Sequence, residues 1–266
     1  MHTLGQVASH NTYDTTDWTS HFTDVNAVEL DVWPLSGWIV CHNFDPAGAR
    51  MLVDYMYDLS KWHKANPDHD LLTVFIEIKS REGWKVGDFE SIIRGRFNDS
   101  RELFRPTDLG IWGRDQKGYY DISLKGSVQT NGWPEVTSLK NKIMFVINGG
   151  GHVTETYLAE RPLFNTVTGT WSTEMGVAPI CFMMSTLNDQ RDGSQFIVLF
   201  NEKYNDFPAL ITRPADNCLR RAYQVDVGND DMVKGNLVPA QNAMKDKYIN
   251  YLAYDQTKNA FWMRLP

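Results

Sequence analysis

Cysteine is scarce in this 266-residue chain, which has three: Cys41, Cys181 and Cys218. An odd count cannot pair completely within one chain, so no disulfide framework is visible. Long apolar runs are missing too. No stretch approaches the roughly 20 residues that a membrane-spanning helix requires. Basic charge is in deficit, with 26 Lys and Arg against 33 Asp and Glu and a net charge of −7. Such a chain repels phosphate backbones, which excludes nucleic acid as the expected partner. It also argues against strong electrostatic adhesion to anionic membranes, while suiting a protein that holds a divalent cation. Repeats, low-complexity segments and composition breaks are absent, so a single domain over 1–266, and a monomer, are expected. The first residues, "MHTLGQVASH", carry neither a basic flank nor an apolar signal core. Because the first motif begins so early, a secreted chain whose leader has been removed is favoured over a cytoplasmic one.

What the chain does have is a series of short apolar runs that end in polar or charged residues. They are "TLGQVAS" (3–9), "AVELDVW" (27–33), "WIVCH" (38–42), "LLTVFIEIKS" (71–80), "KIMFVIN" (142–148), "APICFMMS" (178–185), "QFIVLFN" (195–201), "ALITR" (209–213) and "INYLAYD" (249–255). Most are rich in Val, Ile and aromatics, as buried strands are. Helical spacing appears over 47–66, ending before Pro67, and over 88–99 and 242–250. Strands alternating with helices imply parallel βα units. The expected fold is α/β, a single irregular (β/α)8 barrel of the TIM type. The helical signal is weak between residues 100 and 140, where 105–136 reads as a long functional loop.

Chemistry gathers at the ends of the early strands. His10 and Asn11 end the first run, and Glu29 and Asp31 flank Leu30 in "VELDVW". Residues i and i+2 of a strand share a face, so the two carboxylates point the same way. His42 ends the next extended run. Glu77 and Lys79 form a second i, i+2 pair in "FIEIKS". Barrel active sites collect at the C-terminal ends of strands. Asn11, Glu29, Asp31 and Glu77 supply oxygen ligands there, which favours a hard cation, Ca²⁺ or Mg²⁺. Two imidazoles left off the metal are available as acid, base or phosphate partners. Singly, each has an ordinary structural reading: an exposed histidine, a solvated Glu-x-Asp face, an edge strand, a helix-capping Asn. Together they interrupt strands that otherwise read as buried, where unpartnered charge is expensive.

"ASHNTY", "VELDVW", "CHN" (41–43) and "FIEIKS" resemble, in order and rough spacing, the motifs of the phosphatidylinositol-specific phospholipase C superfamily. The resemblance covers the first 80 residues well. It continues through "NKIMFVINGG", "ALITRPAD" and "INYLAYDQ", which look like later barrel strands of its calcium-dependent, mostly microbial branch. It implies a phospholipid or related phosphodiester substrate and transient contact with a membrane surface. His10 would contact the phosphoryl oxygens, and His42 would be the general acid for departing diacylglycerol. Asn11, Glu29, Asp31 and Glu77 would bind Ca²⁺. A metal-bound carboxylate or His10 would take the proton from the inositol 2-hydroxyl, whose attack on phosphorus gives a 1,2-cyclic inositol phosphate. Lys79 and Arg213 ("TRPAD") are candidate cations for the substrate phosphate; Lys79 shares a face with Glu77, whereas Arg213 equally suits a surface ion pair. "NGGGH" (148–152) reads as loop punctuation rather than a phosphate cradle.

Two other enzymes share the barrel, the paired histidines and the acidic site: a glycerophosphodiester phosphodiesterase and a sphingomyelinase-D-like phospholipase. "SHNTY" argues against the first, which usually carries His-Arg at the first histidine. A non-catalytic binding module on the same barrel is a third reading, opposed by the intact histidines and ligand candidates.

Overall fold

The computed structural model describes residues 6–9, 12–14, 17–23, 25–98, 101–109, 124–160, 179–187, 197–210, 214, 216–223 and 238–254. Its strands are β1 (Gln6–Ser9), β2 (Ala27–Trp33), β3 (Ile39–Val40), β4 (Arg50–Met51), β5 (Leu72–Ile78), β6 (Ile143–Asn148), β7 (Cys181–Ser185), β8 (Leu199–Lys203), β9 (Leu219–Tyr223) and β10 (Tyr251–Tyr254). Eight of them run parallel in the order β1-β10-β9-β8-β7-β6-β5-β2, and pairing of β1 with β2 closes the ring. This is the expected eight-stranded α/β barrel.

Helices pack outside it. In α1 (Leu52–Ala65) the buried residues are Leu52, Tyr55, Met56, Leu59, Ser60 and His63, the stripe that a period of 3.6 produces. α2 (Val86–Arg94) buries Val86, Phe89, Glu90 and Ile93. Further helices span Leu124–Asn131 (α3), Gly150–Glu160 (α4) and Val238–Lys247. The segment 105–136, expected as a long loop, contains a 3-10 turn at Pro106–Leu109 and α3; residues 110–123 lie outside the described residues. "NGGGH" opens α4.

Two of the nine apolar runs supply no barrel strand among the described residues. "WIVCH" supplies β3, which pairs antiparallel with β2 and with β4, forming a small hairpin beside the barrel. In "ALITR", residues 209–210 are irregular, and 211–213 are outside the described residues. The eighth barrel strand is instead "LRRAY", β9, whose two arginines hid it from a hydrophobic pattern. Both arginines are buried.

Strand register sorts the barrel interior into layers. Thr73 on β5 and Tyr251 on β10 meet hydroxyl to hydroxyl at 3.2 Å, and burial pushes the Tyr251 phenol up to about 12. One layer higher, Phe75 pairs in register with Glu29. Above it, Asp31 pairs with Glu77, and Glu77 with Asn148. Val28, Leu30 and Val32 alternate with these acids and are fully buried. One strand thus feeds both the outer core and the lumen.

Candidate active site

The β2–β3 connection is made by Pro34 to Trp38, where Gly37 has φ 93° and Trp38 φ 66°. A left-handed tryptophan costs on the order of 1–2 kcal/mol. Burial of its ring against Trp84 and Phe89, with centroids 5.8 and 5.6 Å away, offsets that cost. The turn brings β3 back along β2. The Cys41 N–H then donates to the Asp31 carbonyl at 3.1 Å, and the Trp33 indole N–H to the Cys41 carbonyl at 3.0 Å. His42 is therefore held on a hairpin loop and not on a barrel strand, yet it reaches the barrel mouth.

There the Asp31 carboxylate gathers three partners on one oxygen. Oδ2 lies 3.0 Å from His42 Nδ1, 3.0 Å from Lys79 Nζ and 2.8 Å from the Tyr13 hydroxyl, which donates to it. Asp31 is 1% exposed, whereas the His42 side chain is 57% exposed. An ionised carboxylate only accepts, so His42 presents an Nδ1–H to it and leaves Nε2 for chemistry. Lys79 also pairs with Glu77 Oε1 at 3.0 Å. Burial alone would lower the Lys79 pKa, but Asp31 and Glu77 outweigh it and hold the ammonium above its ordinary value.

One layer deeper, Glu29 is equally buried. Its Oε2 lies 2.9 Å from an Arg221 guanidinium nitrogen. That contact is an ion pair without hydrogen-bond geometry, whereas Arg221 Nη1 donates to Asn201 Oδ1 at 2.8 Å, and the Arg221 Cζ sits 4.7 Å over the Phe75 ring. The Glu29 backbone N–H donates to Thr12 Oγ1 at 3.2 Å, and that hydroxyl donates to the Ser9 carbonyl at 3.0 Å. Thr12 and Tyr13, the last residues of "SHNTY", thus anchor Glu29 and Asp31 respectively. Tyr223, two residues beyond Arg221, has its phenol pKa raised by burial and then by Glu202, Asp206 and Glu77, with Arg221 opposing.

Of the residues expected from sequence, the structure brings together Glu29, Asp31, Glu77, His42 and Lys79. His10, Asn11 and Arg213 lie outside the described residues. Three others were missed: Tyr13, Asn201 and Arg221. Tyr13 stood within a motif already singled out, so its signal was available. Arg221 and Asn201 carry no local signal, because their partners are far away in sequence.

The three acids fit a metal. One oxygen from each of Glu29, Asp31 and Glu77 lies within 4.8 Å of the others. Asp31 Oδ1 is buried and has no hydrogen-bond donor among the described residues. A buried carboxylate oxygen left without a partner is costly, and a cation removes the cost. All-oxygen donors suit Ca²⁺.

A family model described as "Phosphoinositide phospholipase C, Ca2+-dependent" matches residues 42–198, more than half of the chain. Among solved structures, the calcium-dependent phosphoinositol-specific phospholipase C of a Pseudomonas species is 21% identical with a TM-score of 0.67. The alignment covers 94% of this chain and 88% of that one. A myoinositol complex of that protein gives the same identity and TM-score, covering 94% and 89%. The Ca²⁺-dependent phosphatidylinositol-specific phospholipase C of Streptomyces antibioticus is 15% identical, TM-score 0.64, covering 97% and 94%. These likenesses concern the fold. No curated protein sequence matches the chain.

Proposed function

Because the chain belongs to the Ca²⁺-dependent phosphoinositide phospholipase C family, we propose that it cleaves phosphatidylinositol, or a closely related phospholipid, at the phosphodiester. The products are diacylglycerol and an inositol phosphate that is first 1,2-cyclic. The observation that carries this reading is the Glu29, Asp31, Glu77 cluster with His42 seated on Asp31. The Pseudomonas neighbour, solved with myoinositol, supports an inositol head group.

In this reading Glu29, Asp31 and Glu77, together with Asn11, hold Ca²⁺, which supplies charge stabilisation at the phosphoryl group. Protonated His42, steadied by Asp31, delivers its Nε2 proton to the departing diacylglycerol oxygen. His10 contacts the phosphoryl oxygens. Either it or a carboxylate of the cluster takes the proton from the inositol 2-hydroxyl. Lys79, a permanent cation beside Asp31 and Glu77, and Arg213 add positive charge for the phosphate. Residues 1–266 act as one catalytic barrel.

The substrate resides in a bilayer, and the hairpin that bears His42 offers a place to meet it. Phe44 is 45% exposed and packs on Trp33 with ring centroids 5.3 Å apart. It stands two positions after His42, so membrane contact through this tip brings the histidine to the lipid phosphate.

Phosphorus NMR of products from phosphatidylinositol, glycerophosphodiesters and sphingomyelin tests the proposal. Cyclic inositol phosphate from the first, with little turnover of the others, is expected. Preferred hydrolysis of a glycerophosphodiester, or a cyclic phosphate from sphingolipid alone, would overturn it.

A further inference from the structure

Arg221 is a buried cation against Glu29 of the acid cluster, and the proposed chemistry assigns it no step. Three barrel strands hold it: β2 through Glu29, β8 through Asn201 and β5 through the Phe75 ring. Its side chain is 1% exposed. A guanidinium fixed on three sides does not swing away as a surface lysine does, so its charge stays where it is.

Glu29 thus serves two cations of different kinds. One is the guanidinium 2.9 Å from its Oε2. The other is the divalent ion for which Glu29, Asp31 and Glu77 form a cluster. Two roles are open to Arg221. It either orients Glu29 for the metal, so that losing it weakens metal binding, or it opposes the metal, so that losing it tightens binding. Orientation of Glu29 has independent support. Its backbone is fixed by register with Phe75 on β5 and by donation to Thr12 Oγ1. Repulsion has none of the usual relief, because buried charges are poorly screened by solvent and salt.

We infer that Arg221 is a built-in counter-ion of the metal site: it neutralises Glu29 when calcium is absent, keeps the barrel folded in that state, and makes calcium binding weaker than the carboxylates alone would allow. A buried acid stripped of its partner is strongly destabilising, which gives this barrel a reason to carry its own cation. Lys79 compensates Asp31 and Glu77 in the same sense, but its side chain is 18% exposed and can retract toward solvent. The inference rests on the calcium reading of the same site.

The test is calorimetric titration of Ca²⁺ into chelator-stripped protein, paired with thermal unfolding in chelator and in Ca²⁺. The variants are Arg221→Met, Arg221→Gln and the charge-retaining Arg221→Lys. Arg221→Met and Arg221→Gln should bind Ca²⁺ about tenfold tighter or more. They should also unfold at lower temperature in chelator and gain more from Ca²⁺ than the wild type does. Arg221→Lys should stay within about threefold of wild-type affinity. Neutral variants that fold only with Ca²⁺ would support the inference, since the ion then replaces the lost charge. Neutral variants that bind Ca²⁺ equally or more weakly, or that stay unfolded in saturating Ca²⁺, would overturn it. A wild-type protein that binds no Ca²⁺ would instead sink the calcium reading itself.

Discussion

Asp31 places its two carboxylate oxygens in different surroundings. Oδ2 meets His42 Nδ1 at 3.0 Å, while Oδ1 lies buried with no donor among the described residues. One side chain thereby ties the histidine that would protonate a leaving group to the cluster that would hold a cation. Because Asp31 is rigid within β2 and His42 rides on an exposed hairpin, this contact is what fixes the imidazole at the mouth.

Leaving-group chemistry isolates the role of His42. General acid catalysis is worth roughly 10²–10⁴-fold when the leaving alkoxide is poor, as diacylglycerol is. His42→Ala should lose about that much kcat on phosphatidylinositol. With a nitrophenyl leaving group, which departs without a proton, the loss should shrink to about tenfold or less. His10→Ala should stay impaired on both substrates, because charge develops on the phosphoryl oxygens whatever leaves. Equal losses for His42→Ala on the two substrates would refute its role as the acid.

Metal removal should be felt in both activity and stability. A ligand that binds only the folded state adds about 2.7 kcal/mol at 100 times its Kd. For a barrel of this size that is a rise of roughly 5–10 °C in Tm, at about 2–4 °C per kcal/mol. Excess chelator should abolish turnover, and Ca²⁺ should restore it. Glu77→Gln should cut the calcium-induced Tm rise by half or more. Full turnover in chelator, or an undiminished Tm rise in Glu77→Gln, would exclude this cluster as the site.

Much of this arrangement was readable in the chain. Glu29 and Asp31 announce themselves because charges at i and i+2 interrupt a strand that is otherwise apolar, and "FIEIKS" repeats the device on the adjacent strand. Seven barrel strands follow from apolar runs, since parallel strands buried on both faces read as continuous hydrophobic stretches. β9 does not, because its lumen-facing position holds Arg221 and its outer face holds Arg220 over Phe200 and Phe207. A buried arginine looks like a surface arginine until its partner is known, and Glu29 is brought to Arg221 only by barrel closure. "WIVCH" misled in the opposite direction. Its apolar residues are buried as in a barrel strand, but the Gly37–Trp38 turn folds them back on β2 as a hairpin.

Substitution of Tyr13 tests the two oxygens of Asp31 separately. The Tyr13 hydroxyl donates to Oδ2, the oxygen that faces His42 and Lys79. A hydrogen bond to a charged group is worth about 1.5–3 kcal/mol. Tyr13→Phe should therefore lower kcat on phosphatidylinositol by roughly tenfold or more. Calcium affinity should remain within about threefold of wild type, because Oδ1 is left untouched. A Tyr13→Phe variant with normal kcat and impaired calcium binding would show that Oδ2, not Oδ1, serves the metal.

Acid should loosen the barrel at the opposite end, before it touches the active site. His63 on α1 and His69 ahead of β5 are buried and meet Nδ1 to Nε2 at 2.7 Å, while His69 Nδ1 donates to the Asp70 carbonyl at 2.6 Å. Those contacts fit two neutral rings. Burial, and for His63 the neighbouring His69, hold both below the ordinary value of 6.5. For His63 the nearby Lys64 and Lys142 act in the same direction, and Glu102, 3.5 Å from His63 Nε2, opposes them. With the folded pKa depressed, the unfolded chain takes up protons first. Stability is full above pH 6.5 and is lost as pH falls through the lowered folded values. Thermal unfolding should show a Tm that is flat from pH 8 to 7 and drops by several degrees between about pH 6.5 and 5. His63→Leu should start lower at pH 7, having lost the contact to His69, but should fall less steeply in acid. The same acid slope in wild type and His63→Leu would place the sensitivity elsewhere.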